Sequence, residues 1–377
     1  MKYIVAVIVI ALVIWGFVFW SGNQTTPTTA EPIKIGFIGP LTGDGAPYGE
    51  TEKNAILLAL EDLASKPDAQ KLEMIYEDGK CSGKDATSAI QKLISIDKVK
   101  IVLGGVCSAE TLAAAPIAEQ NQVLMFSAFS SHPDISKAGN YIFRNSPKDT
   151  DVAHLDASTI AQKYKKVAMV SENTDYSIGV REIMKNLFSE KEISIVADEL
   201  YSGGSAPVTD FRSILTKIKS SQPEVLYVNP GTSAKVGGLI VKQARELGIT
   251  VPIHGNFSLG TADALATGGE YMNGVVISDS SGLADTGKDL IARYKIKFAK
   301  DPANEFEMGA SYDRITILTE AIKKVGYDTD KIRNYLYNLA NFSGVVGDYH
   351  FDQNGDVVGV GFTNFVLQNG EKVLYSS

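Results

Sequence analysis

The chain has 377 residues and a formal net charge of −8, too long for one ordinary core and compatible with two compact units. That charge, with no basic patch in the sequence, excludes nucleic acid and an anionic membrane surface as natural partners of the folded part. Two cysteines, Cys81 and Cys107, fit neither a multi-cysteine metal site nor a disulfide-dense miniprotein.

In chain order, the first object is an apolar run from Tyr3 to Trp20 that follows Lys2. Its length suffices to span a bilayer, whereas a secretory apolar core is usually about 7–15 residues. Length therefore favours a transmembrane anchor over residues 1–20; a cleaved signal ending near Ala30 is the other reading. Lys2 on one side and Trp15, Phe17, Phe19 and Trp20 on the other orient the bulk of the chain outside. Residues 21–32, SGNQTTPTTAEP, are polar and proline-punctuated, a tether.

Ile33 to Ile38 predicts a strand buried on both faces, ending in a loop rich in glycine and proline. Helix Gly49–Leu63, strand Leu72–Tyr76, helix Lys84–Ile96, strand Ile101–Leu103, helix Ala109–Glu119, strand Val123–Ser127 and a short strand at Tyr141–Phe143 follow. The same alternation restarts with helix Val152–Tyr164 and runs to strand Gly274–Ser278. Such regularity predicts doubly wound parallel sheets. Helices Leu290–Phe298, Met308–Val325 and Lys331–Leu339, then strands Asp348–Phe351 and Val358–Leu367, are too short for a third unit. They must return to the earlier two.

No HExxH, GxSxG or Walker A motif is present, and His132, His154, His254 and His350 have no companions at metal-ligand spacing. No metal, cofactor or catalytic group is expected. Gly43, Gly45 and Gly49 between a strand and a helix resemble a loose dinucleotide fingerprint. About ten residues with Pro40 and Pro47 separate the elements, however, so the tight turn that brings a helix N-terminus onto pyrophosphate is missing. Cys81 and Cys107 both follow strand ends on one sheet rim. Export would let them pair; two free buried thiols is the alternative. Ser108 opens a helix, where its ordinary role is an N-cap, but the same position offers free N–H groups to a carboxylate.

The stretches IKIGFIGPLTG with Tyr48-Gly49-Glu50, Tyr76-Glu77-Asp78, Gly104-Gly105-Val106-Cys107-Ser108, Phe129-Ser130-Ser131-His132-Pro133, Tyr176 and Gln243 to Gly248 together resemble the type I periplasmic binding proteins of the leucine/isoleucine/valine-binding family. The resemblance covers nearly everything after Ile33. It implies two doubly wound α/β lobes joined by a three-crossover hinge, lobe 1 from 33–146 with 279–345 and lobe 2 from 147–278 with 346–377. It also implies a receptor, not an enzyme, that captures a small amino acid between the lobes and presents it to the permease subunits of an ABC importer.

Carried onto this chain, the hydroxyl and amide of Ser108 and of Ser131 would hold a ligand carboxylate, the carbonyl of Phe129 would receive an ammonium, Tyr48 and Tyr176 would close over the ligand, and Ser130 and Asn229 would also be ligand-binding. The cysteine pair resembles a disulfide of relatives. One departure stands out. Amino-acid binders of the family carry an acid in the loop after the strand matching Val251–His254, and here that loop reads Gly255-Asn256-Phe257-Ser258. Asn229, Asn256, Asp175 or the ring of Phe257 would have to balance an ammonium; otherwise the ligand is an aromatic or short-chain carboxylate, or an amide. A sensory receptor outside transport is a further alternative.

Overall fold

The computed structural model describes residues 31–375 except 68, 203–207, 232 and 281. The apolar run over residues 1–20 lies outside the described residues, and among those described no helix is long and apolar enough to cross a membrane.

Strands β1 (Ile33–Gly39), β2 (Leu72–Asp78), β3 (Ile101–Gly104), β4 (Leu124–Ser127) and β5 (Ile142–Arg144) form a parallel sheet in the order β2-β1-β3-β4-β5. Helices α1 (Ala46–Ala64), α2 (Gly83–Ser95) and α3 (Ser108–Gln120) connect them. Ile35, Phe37 and Ile38 are fully buried, because α2 and α3 cover one face through Ala86, Ile90, Leu93, Ala114 and Ala118 and a second core fills the other. Each such side chain contributes about 1.5–3 kcal/mol when fully buried. Helix α1 starts one turn before its sequence expectation. Pro47 sits inside that first turn, where a missing N–H costs nothing, and only glycine fits at position 49, since a Cβ there would stand 1.9 Å from the Pro40 carbonyl oxygen.

The second sheet is built from β6 (Lys166–Glu172), β7 (Ser194–Tyr201), β8 (Val225–Asn229), β9 (Ile253–Asn256) and β10 (Val276–Ser280), wrapped by α4 (Asp149–Ala161), α5 (Asp175–Glu190), α6 (Arg212–Ser220), α7 (Ala234–Glu246) and α8 (Ala262–Gly268). The chain then returns to the first sheet with α9 (Lys288–Phe298), α10 (Glu305–Val325) and α11 (Thr329–Tyr337). A fully buried Arg314 fastens α10 there, donating to the Phe126 carbonyl at 2.8 Å and pairing with Glu52 of α1.

Short strands β11 (Phe342–Gly344), β12 (Gly347–Phe351) and β13 (Val357–Val358) form a separate small sheet. Val346, Tyr349, Phe351 and Val357 pack into the core beside the first sheet, which corrects the sequence-based assignment of 346–377 to the second unit. Only β14 (Phe362–Gln368) and β15 (Glu371–Leu374) join the second sheet, in the order β15-β14-β10-β9-β8-β6-β7. Both pair antiparallel, so that sheet is mixed where the alternation had predicted purely parallel strands. The expected continuous strand Val358–Leu367 breaks at Gly359, whose φ of 114° and close approach to the Asp348 carbonyl admit no side chain.

The chain thus passes between the two bodies after β5, after β10 and after β13. The first and third passages are tied together by Arg144, which donates from Nε to Asp356 at 2.7 Å and from Nη1 to the His132 carbonyl at 2.8 Å.

Candidate functional site

The carboxyl ends of both parallel arrays face one another, as expected of ligand clefts in open α/β sheets. Between them lies a cavity of about 30 Å³ lined by Tyr48, Val106, Cys107, Ser108, Phe129, Ser131, Tyr176, Gly231 and Phe257. A second, of about 40 Å³, shares Phe129, Ser131, Tyr176 and Phe257 with it and extends to Ser146, Asp149 and Asn304. Outside Tyr48 the cleft widens into a vestibule of about 530 Å³. Six of the residues singled out from the sequence, Tyr48, Ser108, Phe129, Ser131, Tyr176 and Phe257, therefore meet at one place.

The first-sheet wall is fixed by hydroxyls and a disulfide. Cys81 and Cys107 are bonded to each other across 26 positions, a loop closure worth about 3.5 kcal/mol in the chain-entropy model. The loops on both sides hang from Glu110, which accepts from Cys81 N–H at 3.0 Å and Cys107 N–H at 2.9 Å. Burial pushes its carboxyl up to about 8 against the pull of those N–H groups. Cys107, not Ser108, is the N-cap of α3, so Ser108 is its first helical residue. That leaves the Ser108 hydroxyl to the cavity, where it accepts from His132 N–H at 3.3 Å.

Ser130 differs from its neighbours. It is 1% exposed and does not line either cavity; its hydroxyl lies 2.8 Å from the Gly105 carbonyl, 3.1 Å from that of Val106 and 2.6 Å from the Thr111 hydroxyl. Ser127 also donates to Gly105, at 2.7 Å. Ser130 is therefore a strut of the wall, which corrects its expected ligand contact: its hydroxyl is engaged by the Gly105 and Val106 carbonyls and by Thr111.

The second-sheet wall is made of amides and rings. Asn229 is fully buried and lines neither cavity, correcting its expected contact role. It donates to the Ser177 carbonyl at 2.8 Å and accepts from Asn256 at 3.1 Å; Asn256 in turn donates to the Tyr176 hydroxyl at 3.3 Å. The two amides thus aim Tyr176 from behind. Asp175 is exposed and lines neither cavity. Gly231, unnoticed in the sequence, lines the cavity with backbone; its φ is 61°, and a Cβ would fall 1.9 Å from the Glu172 carboxyl.

Across the cleft, the Phe129 and Phe257 rings meet edge to face at 5.1 Å, and Tyr48 stacks on Phe129 at 5.2 Å. The Tyr48 hydroxyl is buried without a hydrogen-bond partner, and burial, with the Glu307 charge adding, raises its pKa. Burial raises Tyr176 likewise, the charge of Asp149 adding.

Asp149 is the residue the sequence did not disclose. It is the first residue of α4, 2% exposed, and its Oδ2 has no hydrogen-bond partner. An acid in the first turn of a helix ordinarily complements the helix dipole, and nothing in the local sequence distinguishes that role from a place in the cleft. Its only local signal is position, at the first crossover. Among the described residues no cluster of histidine, cysteine or carboxylates could hold a metal ion.

Residues 32–362 match the model of a family described as periplasmic binding protein. The leucine-, isoleucine-, valine-, threonine- and alanine-binding protein of Pseudomonas aeruginosa is 28% identical over 94% of this chain and 93% of its own length. A branched-chain amino acid substrate-binding protein of Streptococcus pneumoniae, solved with isoleucine, is 26% identical with a TM-score of 0.81, covering 91% of this chain and 98% of that one. A solute-binding protein of Rhodopseudomonas palustris, solved with 3,4-dihydroxybenzoic acid, shares the fold with a TM-score of 0.80 at 24% identity, over 92% and 96% of the two chains. The chain belongs to the periplasmic binding protein family, with the type I architecture of the leucine/isoleucine/valine-binding proteins.

Proposed function

We propose that this member of the family is an extracytoplasmic solute receptor that closes on a small amino acid and presents it to the permease subunits of an ABC importer. Lobe 1 comprises residues 33–146 and 279–358, lobe 2 residues 147–278 and 362–375. The observation that carries the reading is the convergence of the Ser108 and Ser131 hydroxyls and the start of α3 on one face of the cavity, with Tyr176 opposite. Unpaired N–H groups and hydroxyls at a helix start are suited to a carboxylate. Ser108 and Ser131 hold it, the Phe129 carbonyl accepts from the ammonium, and Tyr48 and Tyr176 close over the ligand from the two lobes. Ligand bridging both lobes shifts a hinge equilibrium towards the closed form. The run over residues 3–20 anchors the receptor, or is removed near Ala30, and residues 21–32 tether the folded part.

Calorimetry against the twenty amino acids tests this reading, and absence of heat with all of them would refute it. In the double variant Ser108→Ala/Ser131→Ala, loss of two hydrogen bonds to a charged group, each worth about 1.5–3 kcal/mol, is expected to weaken binding at least a hundredfold. The empty protein should melt within a few degrees of the parent. Unchanged affinity removes both serines from the site.

A second reading, an aromatic or short-chain carboxylate, is favoured by the Phe129 and Phe257 rings across the cleft. Benzoate binding without competition by any amino acid would select it. A sensory role instead of transport predicts that the ligand-bound receptor fails to stimulate any importer ATPase.

A further inference from the structure

A zwitterionic ligand needs two poles. The hydroxyls supply one, and the loop after β9, Asn256-Phe257-Ser258, offers no acid for the other. A buried ammonium facing only the Phe129 carbonyl, amides and rings lacks the counter-charge that burial demands. We propose that the Asp149 carboxylate, entering from the first crossover, takes the ligand's ammonium and is the residue that selects amino acids over simple carboxylic acids. The proposal rests on the amino-acid reading above and names the group that enforces it.

The placement carries the argument. Asp149 lines the 40 Å³ cavity together with Ser131, Phe129, Tyr176 and Phe257, all four of which also bound the cavity at Ser108. The two spaces are compartments of one cleft, with Ser108 on the first, Asp149 on the second and Ser131 on both. The Asp149 backbone N–H donates to the Ser131 carbonyl at 2.9 Å, which fixes the two residues relative to each other. Oδ2 remains without a partner although the residue is 2% exposed.

The nearby cations are engaged elsewhere. Arg144, on β5, is bound by Asp356, the His132 carbonyl and Ser136, and Lys148 pairs with Asp356 at 3.5 Å. Among the described residues none forms an ion pair with Asp149. Facing it are Ser131 from the β4 loop, Arg144, Asp151 from its own helix and Tyr176 from α5. Burial pushes its carboxyl up to about 7, opposed by the Ser131 hydroxyl and Arg144. A ligand ammonium would favour the ionised form.

The test is a ratio. Leucine and its des-amino analogue 4-methylpentanoate are titrated into the full chain and into Asp149→Asn. The wild type is expected to prefer leucine at least a hundredfold, and the variant to lose most of that preference, with 4-methylpentanoate bound equally or better. A purely structural role for Asp149 would weaken both ligands alike and leave the ratio unmoved, which would overturn the proposal. Should Asp149→Asn fail to fold, Asp149→Ser is titrated with the same two ligands: loss of the leucine preference supports the assignment, and an unmoved ratio refutes it. If the wild type binds no amino acid, the parent reading has failed. Leucine binding with an unmoved ratio sinks Asp149 alone.

Discussion

The two walls of the cleft are held in different ways. On the first-sheet side, the Gly105 carbonyl gathers Ser127, Ser130 and Thr111, and Glu110 with the Cys81–Cys107 disulfide clamps the adjoining loops. On the second-sheet side the amides Asn229 and then Asn256 support Tyr176, Ser258 donates to the Gly231 carbonyl at 3.1 Å, and the remaining surface is the Phe257 ring and Gly231 backbone, with no covalent link. A cross-braced wall presents a fixed pattern of donors whether or not ligand is present. A wall of rings and backbone held by hydrogen bonds alone adapts more readily, which suits the lobe that must come to rest on ligands differing in side chain.

This contrast breaks first at the disulfide. Reduction, or Cys81→Ser with Cys107→Ser, is expected to cost about 3.5 kcal/mol from loop closure, read as a fall in the denaturant midpoint. An unchanged midpoint would show that Glu110 and the serine braces suffice. Next comes the strut Ser130. Ser130→Ala removes the hydroxyl contacts at Gly105 and Thr111 and is expected to cost about 1–3 kcal/mol of stability. Asn256→Ala, by contrast, frees Tyr176 and is expected to weaken ligand binding more than it lowers the melting temperature. If the two variants trade these signatures, the assignment of rigid and adaptable walls is wrong.

The smallest effect is on pH. Glu110, pushed up to about 8, and Asp149, Asp156 and Asp313, each pushed up to about 7, all owe the shift first to burial. Their unfolded values lie near 4, so between about pH 4 and 7 the folded state holds protons that the unfolded state has lost. Stability of the empty receptor is then expected to fall as pH rises through that window. Thermal melts at pH 5.5 and 8 check the sign. A ligand that ionises Asp149 should offset part of the loss at the higher pH.

The β-α alternation was legible because buried parallel strands read as short apolar runs between amphipathic helices. Helix α8 and strands β11 and β15 escaped because they are brief, and the third crossover was hidden inside an apolar run that only the Gly359 backbone interrupts. At the site, Ser108, Phe129 and Ser131 could be located because ligands gather at loops after strands. Ser130 and Ser131 are chemically identical neighbours, and the turn geometry alone decides that one braces and the other faces the cavity.

From the sequence came the two-lobed class, the family likeness, the cysteine pair and the absence of an acid after β9, all properties of local pattern or of residue type at a strand end. Tertiary structure alone decided that Asn229 lies behind the cleft, that residues 346–358 belong with the first sheet, and that Asp149 stands beside Tyr176. Each of those facts depends on which face of an element meets a partner distant in the chain, and no local periodicity encodes that choice.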